Sequence, residues 1–393
     1  MMGSYRVSSG LLAAAFVLAA CSGGGPSVAP AVGTRPGGPP SQESNVQPAI
    51  AKIQHVVLII QENRSFDDLF STFPGADGAT SGKMHNGTVV PLKEQPLAAL
   101  DINHTYPTYL ADYDNGNMDG FDLSKMGNGG RAGKYPYQYV DPNDIQPYWT
   151  LAKDYVLADH TFQTQGSGSF TAHQDLIAGG TIIDSSHSIV DDPSSSWSWG
   201  CDAKPSTVTS LITTGGQYQF DQGPFPCLTY PTGTLRDLLD KAKMSWKYYS
   251  PPHKGNAPGA LWNAFDAIPA VRYGPEWTTN VSVPETNIFN DITGGQLAAV
   301  SWVIPDQVDS DHPQTLKSQY DGPSWVASVV NAIGTSSYWK TTTIVILWDD
   351  WGGFYDHVSP AFIDHAGGLG FRVPMLVVSP YVKPGTIAHT QYE

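Results

Sequence analysis

Ile53-Gln54-His55-Val56-Val57-Leu58-Ile59-Ile60-Gln61-Glu62-Asn63-Arg64-Ser65-Phe66-Asp67-Asp68-Leu69-Phe70 is the stretch on which the reading of this chain turns. Ile53 and the run Val56 to Ile60 are apolar without alternation, as expected of a short strand buried on both faces. The run stops at Gln61-Glu62-Asn63, and Ser65 to Phe70 reads as the start of a helix. In open α/β sheets ligands bind beyond the carboxyl ends of the strands. Glu62 and Asn63 would stand there, one anionic and one neutral oxygen ligand, a pair suited to a divalent cation. The plain alternative is that one of them caps the helix.

Further strands of the same kind follow. Thr342 to Trp348 is the most strand-like run of the chain and delivers Asp349-Asp350 at its end. Gln296 to Ile304 runs into Pro305-Asp306 and then Asp309-Ser310-Asp311-His312-Pro313, and Val373 to Ser379 forms the last strand. Helices are predicted over Pro147 to Asp159, over Thr234 to Lys243 ahead of a strand Ser245 to Tyr249, and around Trp325 to Ala332. Strands alternating with helices make an α/β protein with a largely parallel sheet. The turn-rich stretch Pro74 to Gln146 and the Ser-, Trp- and Pro-rich residues 181–231 read as loop excursions.

The chain has 393 residues, 40 Gly, 31 Pro and a formal net charge of -15. Length and hydrophobic content allow a sizeable core, and the acidic balance without a basic patch excludes nucleic acid as a partner. Residues 1–20 read as a signal peptide: Arg6 supplies the n-region charge and Leu11 to Ala20 an apolar stretch too short to span a bilayer. Leu18-Ala19-Ala20-Cys21 has the form of a lipobox, so Cys21 is the expected lipid anchor to the cell envelope; a plain secretory signal is the alternative. Residues 21–49 read as a disordered Gly/Pro/Ser tether and residues 50–393 as one domain. Export to an oxidising compartment predicts a disulfide between the remaining cysteines, Cys201 and Cys227, against the alternatives of two free buried thiols or a metal site.

One more segment carries chemistry. His160 to His173 holds a glycine-rich turn with Ser169 at the start of a helix, where backbone N–H groups favour phosphate. Read alone, Ser169 is better taken as an ordinary N-cap. Asn115 to Met126 fails as a calcium loop because Met126 stands where a bidentate Glu is required. Gly127, Gly129 and Ala132 follow no predicted strand, which discards a dinucleotide fingerprint. No Gly-x-Ser-x-Gly elbow is present, so an α/β-hydrolase triad has no support.

Taken together these blocks resemble the bacterial phosphoesterase family that holds acid phosphatases and phospholipases C. The resemblance rests on Glu62-Asn63-Arg64-Ser65-Phe66-Asp67, Met118-Asp119-Gly120-Phe121, Gly168-Ser169-Phe170-Thr171-Ala172-His173, Asp311-His312-Pro313 and Asp349-Asp350-Trp351-Gly352-Gly353-Phe354-Tyr355-Asp356-His357. The family's usual nucleophile segment is Gly-Pro-Ser-Phe-Pro-Asn-His; here Gly168, Thr171 and Ala172 replace its two prolines and its asparagine. Asp350 stands where the family usually has Glu. The resemblance implies an alkaline-phosphatase-like three-layer α/β/α sandwich that hydrolyses phosphate esters through a phosphoserine at Ser169. A divalent metal would be held by Glu62, Asn63 and Asp349 with Asp350 beside them. All-oxygen ligands favour calcium, magnesium or manganese, and zinc stays open. His104 and His312 would bind phosphoryl oxygens or protonate the leaving group; His357 matches a family position, with a structural role as the alternative, and His253 follows a strand that could bring it near. Phosphomonoesters and phospholipids are both expected substrate classes. The alternative from another class is an inactive surface lipoprotein that uses the fold to bind a ligand; the presence of Ser169 with both acidic pairs argues against it. In the family a segment like His389-Thr390-Gln391-Tyr392-Glu393 opens a helix, so a C-terminally incomplete domain is expected, with apolar surface left bare beside Val373 to Val378.

Overall fold

Residues 52–195, 198–254, 257–314, 321–360 and 368–393 are described by the computed structural model. The signal peptide, the tether and Cys21 lie outside the described residues. Eight strands build one sheet: β1 (His55–Gln61), β2 (Val156–Ala158), β3 (Trp246–Tyr249), β4 (Val281–Ser282), β5 (Val300–Val303), β6 (Thr342–Trp348), β7 (Met375–Val378) and β8 (Thr386–Ala388). Their spatial order is β4-β3-β5-β1-β6-β7-β2-β8. Every pairing is parallel except those of β7, which runs against both β6 and β2.

The continuous apolar run of β1 is explained by its central place. Val57 and Ile59 point into one core and Ile60 into another on the opposite face, as the two-residue repeat of a strand requires. The first core is closed by α1 (Phe66–Phe70), α3 (Gln146–Asp154), α6 (Asn287–Thr293) and α7 (Gly322–Gly334), while α2 (Tyr106–Tyr113) packs in a separate cluster with Phe121, Trp351 and Phe371. The second is closed by α4 (Ser169–Ala178) and α5 (Leu235–Ala242). Helices on both faces of a largely parallel sheet make the three layers the sequence predicted.

Register then places the site. β1 and β6 pair from His55 opposite Thr342 to Gln61 opposite Trp348, so both strands end at the same level. Asp349 N–H continues the ladder to Gln61 O at 2.9 Å. Glu62-Asn63 and Asp349-Asp350 therefore leave the sheet side by side.

Three expectations are corrected. The helix predicted to Asp159 stops at Asp154, and the short apolar run Val156–Ala158 becomes β2, buried in the sheet. The excursion 181–231 contains a three-stranded antiparallel sheet (His187–Val190, Ser210–Thr213, Tyr218–Gln219) whose Ile189, Val190 and Ile212 are buried. The apolar strand near the C-terminus is not bare: β7 lies between β6 and β2, and Val382, Ala388 and Tyr392 pack with Met375 and Val377. The Cys201–Cys227 disulfide is formed; closing a loop of this length contributes about 3 kcal/mol in the chain-entropy picture.

Candidate active site

Neither Glu62 nor Asn63 caps α1. That place belongs to Ser65, whose hydroxyl oxygen accepts the Asp68 N–H at 3.2 Å. Asn63 instead turns the chain in the left-handed region (φ 58°), which Asn tolerates better than most residues. Its N–H donates to Asp349 Oδ1 at 2.8 Å, tying the two strand ends together. Gly352 closes over this turn: a Cβ there would sit 2.2 Å from Asn63 O, and its φ is +62°, so no other residue fits.

Ser169 is likewise not an N-cap. Gly168 holds that position without a side-chain bond, and Ser169 opens α4 one residue later. The buried Ser169 hydroxyl faces Asp350 Oδ2 at 3.2 Å and Asn63 Oδ1 at 3.4 Å. One turn along the same helix face, His173 Nε2 lies 2.8 Å from Glu62 Oε1 and 3.9 Å from Asp349 Oδ2. His104, just ahead of α2, brings Nε2 to 2.9 Å from Asn63 Nδ2 and 3.8 Å from Asp350 Oδ2, while its Nδ1 lies 2.6 Å from Ile102 O. The structure thus joins Glu62, Asn63, Ser169, Asp349, Asp350 and His104 in one cluster. His312 lies in the wall of an adjoining cavity of about 320 Å³, its ring stacked on Trp262 and its Nδ1 3.0 Å from Pro313 O.

Two histidines go elsewhere. His253 packs its ring on Trp277 at 4.9 Å instead of entering the site. His357 joins a second cluster, with Nδ1 2.7 Å from Asp67 Oδ2 and Nε2 3.3 Å from Asp77 Oδ1, beside buried Arg372 and Asp356. None of its hydrogen bonds or ion pairs reaches Ser169 or the Glu62 and Asp349 carboxylates. The structure therefore places His357 with Asp67 of α1, Asp77 and Arg372, which suits the structural role left open for it in the sequence.

Both clusters bring three ligand-type groups within 4.8 Å of one another, Glu62-His173-Asp349 and Asp67-Asp356-His357. Their unsatisfied atoms separate them. Glu62 Oε2, Asp349 Oδ2 and His173 Nδ1 are buried without a hydrogen-bond partner. In the second cluster Arg372 donates to Asp356 at 2.9 Å and 3.1 Å and to Asp67 at 3.4 Å, and backbone N–H groups occupy the same carboxylates. Buried polar atoms are rarely left unpaired, so the first group fits a cation and the second already has one in its guanidinium. The fit differs from the all-oxygen set expected, because the His173 nitrogen takes part. His173 stands four residues after Ser169, a helical spacing that shares one face and could have marked it in the sequence. Asp192, also absent from the sequence reading, follows the strand His187–Val190 and accepts the Phe170 N–H at 2.9 Å. It repeats the strand-then-acid pattern of β1 and β6, hidden because its segment read as a loop.

Charge in this cluster is one-sided. Burial, with Asp350 adding to it, pushes the Glu62 carboxyl well above its usual range. Burial and the Glu62 charge push Asp349 up to about 8, and burial with Asp349 raises Asp350 well above the ordinary value. Burial alone would lower His104, yet Asp350, Asp101 and Asp192 hold it up at about 10. Burial lowers His173, and it takes His312 down to about 3, so both stay neutral.

A pH dependence follows for the metal-free protein. Between about pH 6.5 and about pH 8 the unfolded carboxyls and histidines have lost their protons. In the folded chain Asp349, raised to about 8, and His104, raised to about 10, still hold theirs over most of this window. The folded state then binds more protons, so raising the pH favours unfolding. The expected result is a melting temperature that falls across this window after chelation. Stabilisation by added divalent cation should grow across the same window, because the cation competes with those protons. A melting temperature that is flat or rises with pH would contradict this electrostatic picture.

The family model described as the Phosphoesterase family matches residues 53–393. Among curated proteins the chain is similar to a non-hemolytic phospholipase C of Burkholderia pseudomallei, 25% identical over 415 residues, covering 88% of this chain and 54% of that protein. It is also similar to phospholipase C A of Mycobacterium tuberculosis, 24% identical over 389 residues, covering 85% of this chain and 69% of that one. The chain thus matches about half the length of the first of these relatives. Among solved structures, an alkaline phosphatase superfamily protein from Vibrio parahaemolyticus overlaps 86% of this chain and 62% of its own, with 12% identity and a TM-score of 0.36.

Proposed function

The chain belongs to the Phosphoesterase family, and on that footing we propose that it hydrolyses phosphate esters, of the phosphatase or phospholipase C type, through a phosphoserine at Ser169. The observation that carries this reading is the Ser169 hydroxyl, buried at a helix start within reach of Asp350 and Asn63 and one helical turn from the Glu62-His173-Asp349 group. In the first step the serine oxygen attacks phosphorus, an Oγ–P bond forms, and the ester P–O bond breaks with its electron pair on the alcohol oxygen. Asp350 Oδ2, at 3.2 Å, is placed to take the serine proton. His104, held as a cation, protonates the departing alcohol. Water then attacks the phosphoserine and gives its proton to His104, the Oγ–P bond breaks, and Ser169 Oγ takes its proton back from Asp350 as the phosphate product leaves. His312 stays neutral, and with Nδ1–H donated to Pro313 O its Nε2 is unprotonated and can accept a hydrogen bond.

A divalent cation held by Glu62, Asp349 and His173, with Asn63 and Asp350 at its edge, would act as a Lewis acid on the phosphoryl group and lower the pKa of the Ser169 hydroxyl. A nitrogen in the donor set favours zinc over calcium and magnesium, while the carboxylates suit manganese as well. Attachment to the cell envelope through lipidated Cys21 belongs to the same proposal and rests on the sequence.

The test is hydrolysis of p-nitrophenyl phosphate and of phosphatidylcholine with and without chelator. Expected is turnover of at least one substrate, lost on chelation and restored by manganese or zinc. Turnover untouched by chelator would remove the metal from the scheme. No turnover of either substrate would favour the ligand-binding alternative.

A further inference from the structure

The structure holds a carboxylate where a phosphatase acting on dianionic monoesters would be expected to offer a donor. Asp192 Oδ1 accepts the N–H of Phe170, the residue directly after Ser169, at 2.9 Å. It is packed against the backbone on the other side of the serine too: a Cβ on Gly168 would lie 3.1 Å from the same oxygen. Backbone N–H groups at the start of a helix are natural donors to phosphoryl oxygens. Here the one next to the serine is already satisfied, and a negative charge stands in its place.

Resting on the hydrolase reading above, we propose that Asp192 sets the substrate class, so that the site takes phosphodiesters in preference to phosphomonoesters. A phosphomonoester near neutral pH brings two charges and three oxygens that need donors or cations. In a diester one of those oxygens carries carbon, only one charge remains, and no donor is needed at the position Asp192 has taken.

Two further observations point the same way. Asp192 lines a cavity of about 300 Å³ together with Asp101 and His104, and Lys125 is the one lysine or arginine in its lining among the described residues. With Glu62, Asp349 and Asp350 behind it, the cluster holds five carboxyl groups, and His104 and Lys125 are the basic side chains its lining offers to a second substrate charge among the described residues. The cavity that contains His312, about 320 Å³, shares Asp101, Met126 and Gly127 with the first, so the two are contiguous. Leu100, Met126 and Pro313 give the second an apolar wall. A substrate with organic groups on both sides of phosphorus has a place for each; a monoester leaves one cavity unused.

The experiment compares kcat/KM for bis(p-nitrophenyl) phosphate and p-nitrophenyl phosphate in the native protein and in Asp192→Asn. The asparagine oxygen still accepts the Phe170 N–H, so the helix start is kept while the charge is removed. Expected is a native preference for the diester, and a diester-to-monoester ratio lowered on the order of tenfold in the variant. A native preference for the monoester, or a ratio unmoved by the substitution, overturns the proposal. Absence of turnover with both substrates would sink the hydrolase reading separately, and binding then decides this one. In calorimetry with manganese present, monoanionic methyl phenylphosphonate should bind the native protein more tightly than dianionic phenylphosphonate, with the gap narrowing in Asp192→Asn. Tighter binding of the dianion overturns the proposal.

Discussion

Ser169→Ala is expected to lower turnover on the order of 10^3-fold or more, with the fold and the cation response intact. The hydroxyl is the nucleophile in the proposed scheme, and no other hydroxyl is hydrogen-bonded to Asp350 or to the Asn63 side chain among the described residues. The substitution creates no clash and suits a helix start, since alanine is a better helix former than serine. Ser169 donates no helix cap that could be lost. Thermal stabilisation by divalent cation, which depends on Glu62, Asp349 and His173, should persist in the variant. Near-native turnover in Ser169→Ala would end the phosphoserine proposal, whatever the cation does.

Arg372→Met is expected to destabilise the folded chain by about 3–5 kcal/mol without touching the Ser169 cluster directly. Arg372 is fully buried. It donates to Asp356 at 2.9 Å and 3.1 Å, to Asp67 at 3.4 Å, and to the carbonyls of Asp77 and Asp159 at 2.9 Å and 2.8 Å, with its guanidinium over the Phe66 ring. Removing it leaves two buried carboxylates facing each other and two carbonyls without their donor. Arg372→Lys keeps the charge but not the planar fork, so a smaller loss is expected. Urea unfolding of the three proteins measures this. A loss under about 1 kcal/mol for Arg372→Met would show that water reaches the cluster and replaces the guanidinium.

The same arginine explains the sequence reading of His357. His357 stands in the Asp349-to-His357 block that carries much of the family resemblance, and by residue type it suits phosphate as well as His104 does. Which carboxylate it meets depends on where α1 and the segment before β7 come together, and Arg372, which lies in that segment, is 305 residues from Asp67 of α1. His104 was reached through the family resemblance, from its place ahead of Met118-Asp119-Gly120-Phe121, and the helix start that follows it is held by Asp191, 85 residues beyond Tyr106.

What the sequence by itself determined are the features that one segment can encode. An unbroken β-branched run specifies a strand buried on both faces, its abrupt polar end specifies where the ligands stand, and glycines ahead of Ser169 specify a helix beginning at a hydroxyl. Glu62, Asn63, Asp349 and Asp350 were visible on those grounds, whereas Ser169 read alone as a helix cap and was singled out by the family resemblance. Only the tertiary structure decided how those segments face each other. Parallel neighbours β1 and β6 are nearly 290 residues apart at the Asn63–Asp349 contact, and β7 enters the sheet antiparallel. His173 and Asp192 became site residues through the docking of α4 and its neighbouring small sheet against the β1–β6 strand ends. An imidazole or a carboxylate takes its role from the charges it meets on burial, and long-range packing chooses those charges.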